Sequence, residues 1–263
     1  WATQMLAYSS RPPDPELAPN SWREMWEHRL KNQPFLLETW LDHQTRDDFW
    51  KHGSVCEDYS KIEAAVLSVG GWHDGYRNTI NHLVSNIDAP VKGIIGPWIH
   101  KYPHMAGPQP AIGFLQECKR WWDHWLKGID TGVDQDPDMR IYLMDAVKPK
   151  AWLPERPGRW IADGTWPAPD TDWRVLPLSS SGLGSAGDCN ISVCSPADCG
   201  ATGGEYFPFA YGPEFPQDQR ADDALSACFD GAILTEDTDI VGGPRVRLKL
   251  SSNKPAAQIA VRL

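Results

Sequence analysis

A strand–helix–strand pattern between residues 62 and 95 constrains the fold more than any other feature of the sequence. Residues 62–69 form a short apolar run that ends at Gly70-Gly71, as expected for a buried parallel strand. Residues 76–87 then place apolar side chains on one helical face, Pro90 ends the helix, and residues 91–95 predict a second buried strand. Two strands joined by a helix over about forty residues form a βαβ crossover, the unit from which α/β sheets are built.

Shorter signals flank this crossover. Upstream of it, tryptophan and leucine recur at helical spacing, and Ser21-Trp-Arg-Glu24 fits a capping box at the start of a short helix. Downstream of it, we expect a helix over residues 112–126, with Gly128 in its C-cap, and a further strand over residues 140–144. The sequence therefore predicts an α/β domain preceded by small amphipathic helices.

A change in composition predicts a domain boundary near residue 170. All fourteen tryptophans lie between Trp1 and Trp173. Beyond them, Val246–Leu250 and Ile259–Leu263 alternate with period two between Gly/Pro-containing turns, which is typical of a β-sandwich or jelly roll. Because the last alternating run looks like an interrupted strand, we expect the sequence to be a fragment of a longer protein with an incomplete jelly roll.

Composition excludes several classes of function. The net charge of −10 disfavours nucleic acid as a partner, because a phosphate backbone would be repelled. No apolar run approaches the roughly 18 residues that a membrane span needs, so no membrane partner is expected. Six cysteines are too few for a disulfide scaffold, although a local disulfide between two of Cys189, Cys194 and Cys199 remains open.

Two titratable residues follow the strands of the crossover. Asp74 comes directly after the first strand, and His100 follows the second, 26 positions later. Ligands of doubly wound sheets bind beyond the carboxyl ends of the strands, so both side chains are expected at one edge of the sheet. A carboxylate that accepts a hydrogen bond from an imidazole holds it in one tautomer, as in a nucleophile–histidine–acid triad. Separately, each residue is more readily explained as a turn aspartate or a loop histidine.

A metal site is the weaker interpretation of these residues. His73 precedes Asp74, and His104 lies four positions after His100, the spacing of ligands on a zinc-binding helix. Pro103 disfavours that helix, and the glutamate of a His-Glu-x-x-His motif is missing. We therefore predict no metal.

The nucleophile of such a triad is not evident in the sequence. A nucleophile elbow has the form Gly-x-Ser-x-Gly, and no such pentapeptide occurs. In the chain order of α/β-hydrolases the serine comes first, so we expect it upstream of Trp1 and expect this chain alone to be inactive.

Several motifs together resemble one family. The runs Val69-Gly-Gly-Trp-His-Asp-Gly-Tyr76, Gly96-Pro-Trp-Ile-His100 and Trp121-Trp-Asp-His-Trp-Leu-Lys-Gly128 are similar to those of the cocaine esterase/NonD hydrolases, which belong with the X-prolyl dipeptidyl peptidase (S15) group. Residues 213–224 resemble the start of that family's C-terminal jelly roll.

The resemblance implies a serine hydrolase of three parts. They would be a helical cap remnant at residues 1–60, the C-terminal part of an α/β-hydrolase domain at 61–169, and the start of a jelly roll at 170–263. It implies that Asp74 is the triad acid, that His100 is the triad base, and that Tyr76 faces the substrate. No cofactor is implied, and the substrate would be a small ester or a peptide. Ester, X-Pro peptide and acyl-amide substrates stay open, as do localisation and oligomeric state.

A non-catalytic jelly-roll module, for binding or for structure, is the alternative function. The last ninety residues contain aromatic residues that a binding site would use, including Tyr206, Phe207, Phe209 and Phe215. Several of them lie beside prolines, which favours the packing of a long loop against a neighbouring element.

Overall fold

The computed structural model describes residues 2–105, 107–210 and 212–263 of the chain. Two compact units are formed, Trp1–Tyr59 and Ser60–Leu263. The first unit contains four short helices, which confirms the predicted helical character of this segment: α1 (Ala2–Ser9), α2 (Trp22–Asn32), α3 (Leu36–Asp42) and α4 (Asp48–His52).

Indole hydrogen bonds connect the parts of the first unit. Trp26 donates from Nε1 to the carbonyl of Ser10 at 2.8 Å, and Trp50 donates to the carbonyl of His43 at 2.7 Å. The capping box predicted at Ser21 is wrong. Ser21 is the N-cap of α2, but its hydroxyl lies 3.6 Å from the sulfur of Met25 and caps no backbone amide.

The second unit contains all the strands of the described residues and three helices. Its regular elements are β1 (Val66–Gly71), α5 (Arg77–Asn86), β2 (Val91–Gly96), α6 (Phe114–Lys127), β3 (Met139–Met144), β4 (Gly158–Asp163), β5 (Leu178–Ser179), β6 (Gly182–Leu183) and α7 (Arg220–Asp223). Single 3₁₀ turns lie at Val55–Glu57, Tyr59–Lys61 and Val133–Gln135.

Four of these strands form one mixed sheet in the order β1-β2-β3-β4. Strands β1, β2 and β3 are parallel, and β4 is antiparallel to β3. The register of the first pair places Gly71 beside Gly96, so both strands end at the same level. The predicted crossover and the strand over residues 140–144 are therefore confirmed, and the chain has a mixed α/β fold.

Helix α5 covers one face of this sheet. Ile80 and Val84 of the helix pack against Ile95, Met139 and Ile141 of the strands, and all five are buried. On the opposite face, buried Ile94 and Trp98 pack with Leu67, Val69 and Ile112. Because both faces are covered, β2 consists of small and apolar residues apart from Lys92.

Helix α6 ends as the sequence predicts. Gly128 is its C-cap, with φ of +67°, a left-handed conformation that glycine adopts without a steric penalty. Arg140 of β3 donates two hydrogen bonds to the carboxylate of Glu117, at 3.1 and 2.9 Å, and this bidentate pair joins the helix to the sheet.

The C-terminal part of the chain differs from the prediction. Beyond residue 170, the described residues form only the two-residue strands β5 and β6 and the single-turn helix α7. The strands predicted over 246–250 and 259–263 are wrong: neither segment pairs with another strand, and Leu250 and Leu263 are 62% and 88% exposed. Alternation makes a segment suitable for a strand, but a strand forms only where a partner satisfies its backbone. The jelly roll is therefore not confirmed, and the division at residue 170 stays a prediction.

Two further observations concern cysteines and membranes. Cys189, Cys194 and Cys199 are free thiols, so the disulfide that the sequence left open is not formed. Among the helices of the described residues, none combines the length and the apolar character that crossing a lipid bilayer requires.

Candidate active site

The ends of β1 and β2 place the predicted residues in two adjacent turns. After β1 the chain turns tightly, with the amide of Asp74 donating to the carbonyl of Gly71 at 3.0 Å. The amide of His73 donates to the carbonyl of Trp98 at 3.0 Å, which joins this turn to the one that follows β2. The turns therefore lie side by side, as expected at the carboxyl edge of a parallel sheet.

Gly71 allows the two turns to approach this closely. A Cβ atom at this position would lie 2.1 Å from the carbonyl oxygen of Trp98. Trp98 itself is buried, and its indole donates to the carbonyl of Pro110 at 2.8 Å. A side chain at residue 71 would force one of the two backbones to move, so glycine is favoured where the strands end.

Asp74 and His100 are in direct contact. Oδ2 of Asp74 lies 2.8 Å from Nδ1 of His100, and Oδ1 accepts a hydrogen bond from the amide of Tyr76 at 2.8 Å. The side chain of Asp74 is 14% exposed and that of His100 is 35% exposed. With the carboxylate on Nδ1, the imidazole is oriented so that Nε2 is the nitrogen that remains for proton transfer.

Aromatic rings surround this imidazole. Tyr76, Phe207 and Phe209 lie edge-on to His100, with ring centroids 5.7, 5.0 and 5.2 Å away. Tyr76 is half exposed beside the imidazole and also contacts Phe207 at 4.9 Å. The site therefore combines one acid–histidine pair with an apolar wall, an arrangement common in small-molecule sites.

Sequence reasoning missed the position of the two phenylalanines. It favoured their packing in a loop, but it did not place them at His100, more than one hundred positions away. The amide of His100 donates to the carbonyl of Pro208 at 3.1 Å. The proline between the two phenylalanines therefore belongs to the site.

Within the described part of the chain, His73, His100 and His104 do not form a group of potential metal ligands. His104 stacks with Tyr102 and Phe114, at 6.1 and 5.9 Å, and His100 is engaged by Asp74. Elsewhere in the described residues, His124, Asp130 and Asp134 have potential ligand atoms within 4.8 Å of one another, and both carboxylates are exposed.

His73 is partly buried next to Asp74, with its Nε2 atom inaccessible to solvent. Burial is the main cause that lowers the pKa of its imidazole to about 4, and the positive charges of Arg156 and Arg77 add to the effect. The ring is therefore uncharged near neutral pH. It stacks on Phe215, with centroids 4.3 Å apart.

Family models match two parts of the chain. The model of the X-Pro dipeptidyl-peptidase (S15 family) matches residues 1–102, and that of the X-Pro dipeptidyl-peptidase C-terminal non-catalytic domain matches residues 131–263. The chain belongs to the X-Pro dipeptidyl-peptidase (S15) family. The resemblance to this family that the sequence motifs indicated is thus confirmed.

Curated relatives are longer than this chain. A Mycobacterium bovis protein named “Putative serine esterase” is 30% identical over 121 residues, which cover 43% of this chain and 18% of that protein. A Bacillus cereus protein named “Putative Xaa-Pro dipeptidyl-peptidase” is 20% identical over 227 residues, which cover 82% of this chain and 34% of that protein. The matched parts of this chain therefore span 18% and 34% of the length of these relatives.

One solved structure is similar over part of the chain. A CocE/NonD family hydrolase from Staphylococcus aureus aligns with a TM-score of 0.43 and 17% sequence identity, covering 63% of this chain and 29% of that one.

Proposed function

We propose that this chain is part of a serine hydrolase that cleaves ester or amide bonds, with Asp74 as the acid and His100 as the base of a Ser-His-Asp triad. The observation that carries the proposal is the 2.8 Å contact between Oδ2 of Asp74 and Nδ1 of His100. It lies beyond the carboxyl ends of adjacent parallel strands, where α/β enzymes place their chemistry. Membership of the S15 family supports the same class of reaction.

The nucleophilic serine is proposed to lie in a segment that precedes this sequence. In α/β-hydrolases the serine comes before the acid and the histidine in chain order, and no nucleophile elbow occurs here. We call the longer protein that includes this serine the parent enzyme.

The proposed mechanism is acyl transfer in two steps. The serine oxygen attacks the substrate carbonyl while Nε2 of His100 takes its proton, and Asp74 stabilises the resulting imidazolium through Nδ1. The imidazolium then protonates the leaving alcohol or amine. Water attacks the acyl-enzyme with His100 again as base, which releases the carboxylic acid and restores the serine. Backbone amides stabilise the oxyanion, a contribution of about 3 kcal/mol per donor in other enzymes. None of these steps requires a cofactor.

The surroundings of His100 favour an apolar group in the substrate. Tyr76 is proposed to contact the substrate, because its ring is half exposed beside the imidazole. Phe207 and Phe209 line the same side of the ring. An ester or peptide with an apolar acyl part would bury these aromatic faces on binding.

A non-catalytic role is a second candidate for residues 131–263. It is favoured by the matching family model, which describes a non-catalytic C-terminal domain. Under this alternative the segment supports the hydrolase domain without entering the reaction.

A fluorophosphonate probe, which labels activated serines, tests the catalytic proposal in the parent enzyme. We expect wild type and His104→Ala to be labelled, because His104 is an exposed loop residue four positions after His100. His100→Ala should lose the label. Equal labelling of His100→Ala, or an unlabelled wild type that hydrolyses neither a p-nitrophenyl ester nor an X-Pro p-nitroanilide, would overturn the proposal.

A further inference from the structure

Residues 204–210 and 212–215, hereafter the 204–215 loop, bring the C-terminal part of the chain to the acid–histidine pair. The loop closes on itself through the amide of Glu205, which donates to the carbonyl of Glu214 at 2.8 Å. The carboxylate of Glu214 accepts from the amide of Ala210 at 2.6 Å. Phe207 and Phe209 project from this closed loop onto the ring of His100. The position of the loop therefore determines the apolar wall of the site.

Phe215 holds one end of the loop in the interior. Its ring is 3% exposed and lies between His73, at 4.3 Å and 19° from parallel, and Trp152, at 4.9 Å and 32°. Its amide donates to the carbonyl of Ala151 at 2.8 Å. Elsewhere the loop is held by a 3.3 Å hydrogen bond from the hydroxyl of exposed Tyr206 to the carbonyl of Gly75, and by the 3.1 Å hydrogen bond from the amide of His100 to the carbonyl of Pro208.

His73 links this anchor to the catalytic turn. It immediately precedes Asp74, and its amide is fixed by the carbonyl of Trp98. Nε2 of His73 is buried and has no hydrogen-bond partner among the described residues, and the flat face of the ring packs on Phe215. A ring in this position connects the Asp74 turn to the loop that covers His100.

We propose that His73 is a positioning residue, whose imidazole, stacked on Phe215, holds the 204–215 loop against His100. Residues matched by a non-catalytic domain model thereby shape the site. The effect on substrate binding rests on the proposed function, whereas the anchoring of the loop does not depend on it.

The charges around His73 make this anchor sensitive to acid. Arg156 and Arg77 both act on the imidazole, and the neighbouring carboxylate of Asp74 is bound to His100. Protonation of His73 would place a third positive charge beside two arginines. The ring stacked on Phe215 would then be charged in a partly buried position, which is unfavourable. We therefore expect the loop to be released when the pH falls below the pKa of about 4.

Hydrogen exchange of the whole 263-residue chain, followed by mass spectrometry, tests the anchor. In His73→Ala we expect amides of the 204–215 loop to exchange at least tenfold faster, while β2 and β3 keep their protection. His73→Phe, which keeps a flat ring, should retain the protection of the loop. His82→Ala is the matched control, because His82 is an exposed histidine of α5.

Three outcomes would overturn the proposal: unchanged exchange in His73→Ala, equal acceleration throughout the sheet, or a His73→Phe variant as loose as His73→Ala. A second measurement tests the proposal without the alanine variant, in case that variant folds poorly. Below pH 4, after correction for intrinsic rates, the wild-type loop should lose protection that His73→Phe retains, and equal loss in both would contradict the proposal. These hydrogen-exchange measurements do not require enzymatic activity. A failure of the catalytic proposal is therefore detected separately, by the fluorophosphonate labelling of His100→Ala.

Discussion

Oδ2 of Asp74 lies 2.8 Å from Nδ1 of His100, although the two residues are separated by a whole helix and a strand. The contact depends on the parallel pairing of β1 and β2, which brings the two strand ends to the same level. An imidazole held in this way has one nitrogen committed to the carboxylate and the other available for a proton.

Replacement of His100 is expected to abolish most of the activity of the parent enzyme. His100→Ala removes the base, so kcat for a p-nitrophenyl ester should fall by about 10³-fold or more. The side chain of His100 is 35% exposed, so the fold should persist, as judged by circular dichroism. His104→Ala should keep near-normal kcat. A His100→Ala enzyme with near-normal activity would disprove the assignment.

Asp74→Asn tests the tautomer of His100 rather than its presence. The amide is close in size to the carboxylate, but it donates as well as accepts and no longer stabilises an imidazolium. We expect kcat to fall by about 10³–10⁴-fold while KM changes little. Asp88→Asn, at an exposed position after α5, is the control. A change in KM alone would show that Asp74 acts in binding and not in catalysis.

Tyr76 is expected to act on substrate binding. Its ring is 49% exposed beside His100, whereas its backbone amide already supports Asp74. Tyr76→Ala removes an aromatic face, so KM for an ester with an apolar acyl group should rise by about tenfold, which corresponds to about 1.4 kcal/mol. Tyr76→Phe should stay close to wild type. Equal KM values in the three proteins would place Tyr76 outside the substrate site.

The sequence predicts those features of the site that depend on neighbouring elements. The strands β1 and β2 and the helix between them follow from local apolar patterns, although β1 begins at Val66, four residues after the predicted start at residue 62. The proximity of Asp74 and His100 follows from parallel pairing. The helix over 112–126 was predicted for the same reason, including its cap at Gly128.

Features that depend on distant contacts were not predictable from these patterns. Phe215 stacks on His73 across 142 positions of chain, and no periodicity reports such a contact. The alternating run at 246–250 has strand character but no partner, so its pattern predicted a strand that is not formed. Ser21 and Glu24 are the residues of a capping box, yet the hydroxyl of Ser21 contacts the sulfur of Met25 instead of a backbone amide.

Gly71→Ala is expected to separate the two turns that carry Asp74 and His100. The added methyl group would lie 2.1 Å from the carbonyl oxygen of Trp98, a distance that requires backbone movement. We expect a loss of stability of about 2–4 kcal/mol, since overpacking a buried site strains its surroundings. The variant of the parent enzyme should also lose activity, because Asp74 and His100 no longer meet.

Gly164→Ala is the matched control for this steric effect. A Cβ atom at Gly164 meets nothing within 4 Å, so its thermal unfolding temperature should stay within a few degrees of wild type. Equal unfolding temperatures for Gly71→Ala and Gly164→Ala would contradict the close approach of the two turns.

The pH dependence of stability is the last prediction, and it concerns His73. Its pKa is about 4 in the folded chain against 6.5 as the ordinary value, so the unfolded chain binds a proton that the folded chain does not. Stability from this group is therefore fully present above pH 6.5, declines as the pH falls, and levels out below about 4, a total of up to about 3 kcal/mol. Urea unfolding between pH 7.5 and pH 4 measures this loss.

His73→Phe isolates this contribution from the carboxylates that titrate in the same range. The phenylalanine keeps the stack on Phe215 but binds no proton, so its stability should fall less steeply than that of wild type between pH 6.5 and pH 4. His82→Phe should follow the wild-type curve, because His82 is exposed. If the wild-type and His73→Phe curves stay parallel over this range, His73 is not buried as an uncharged ring.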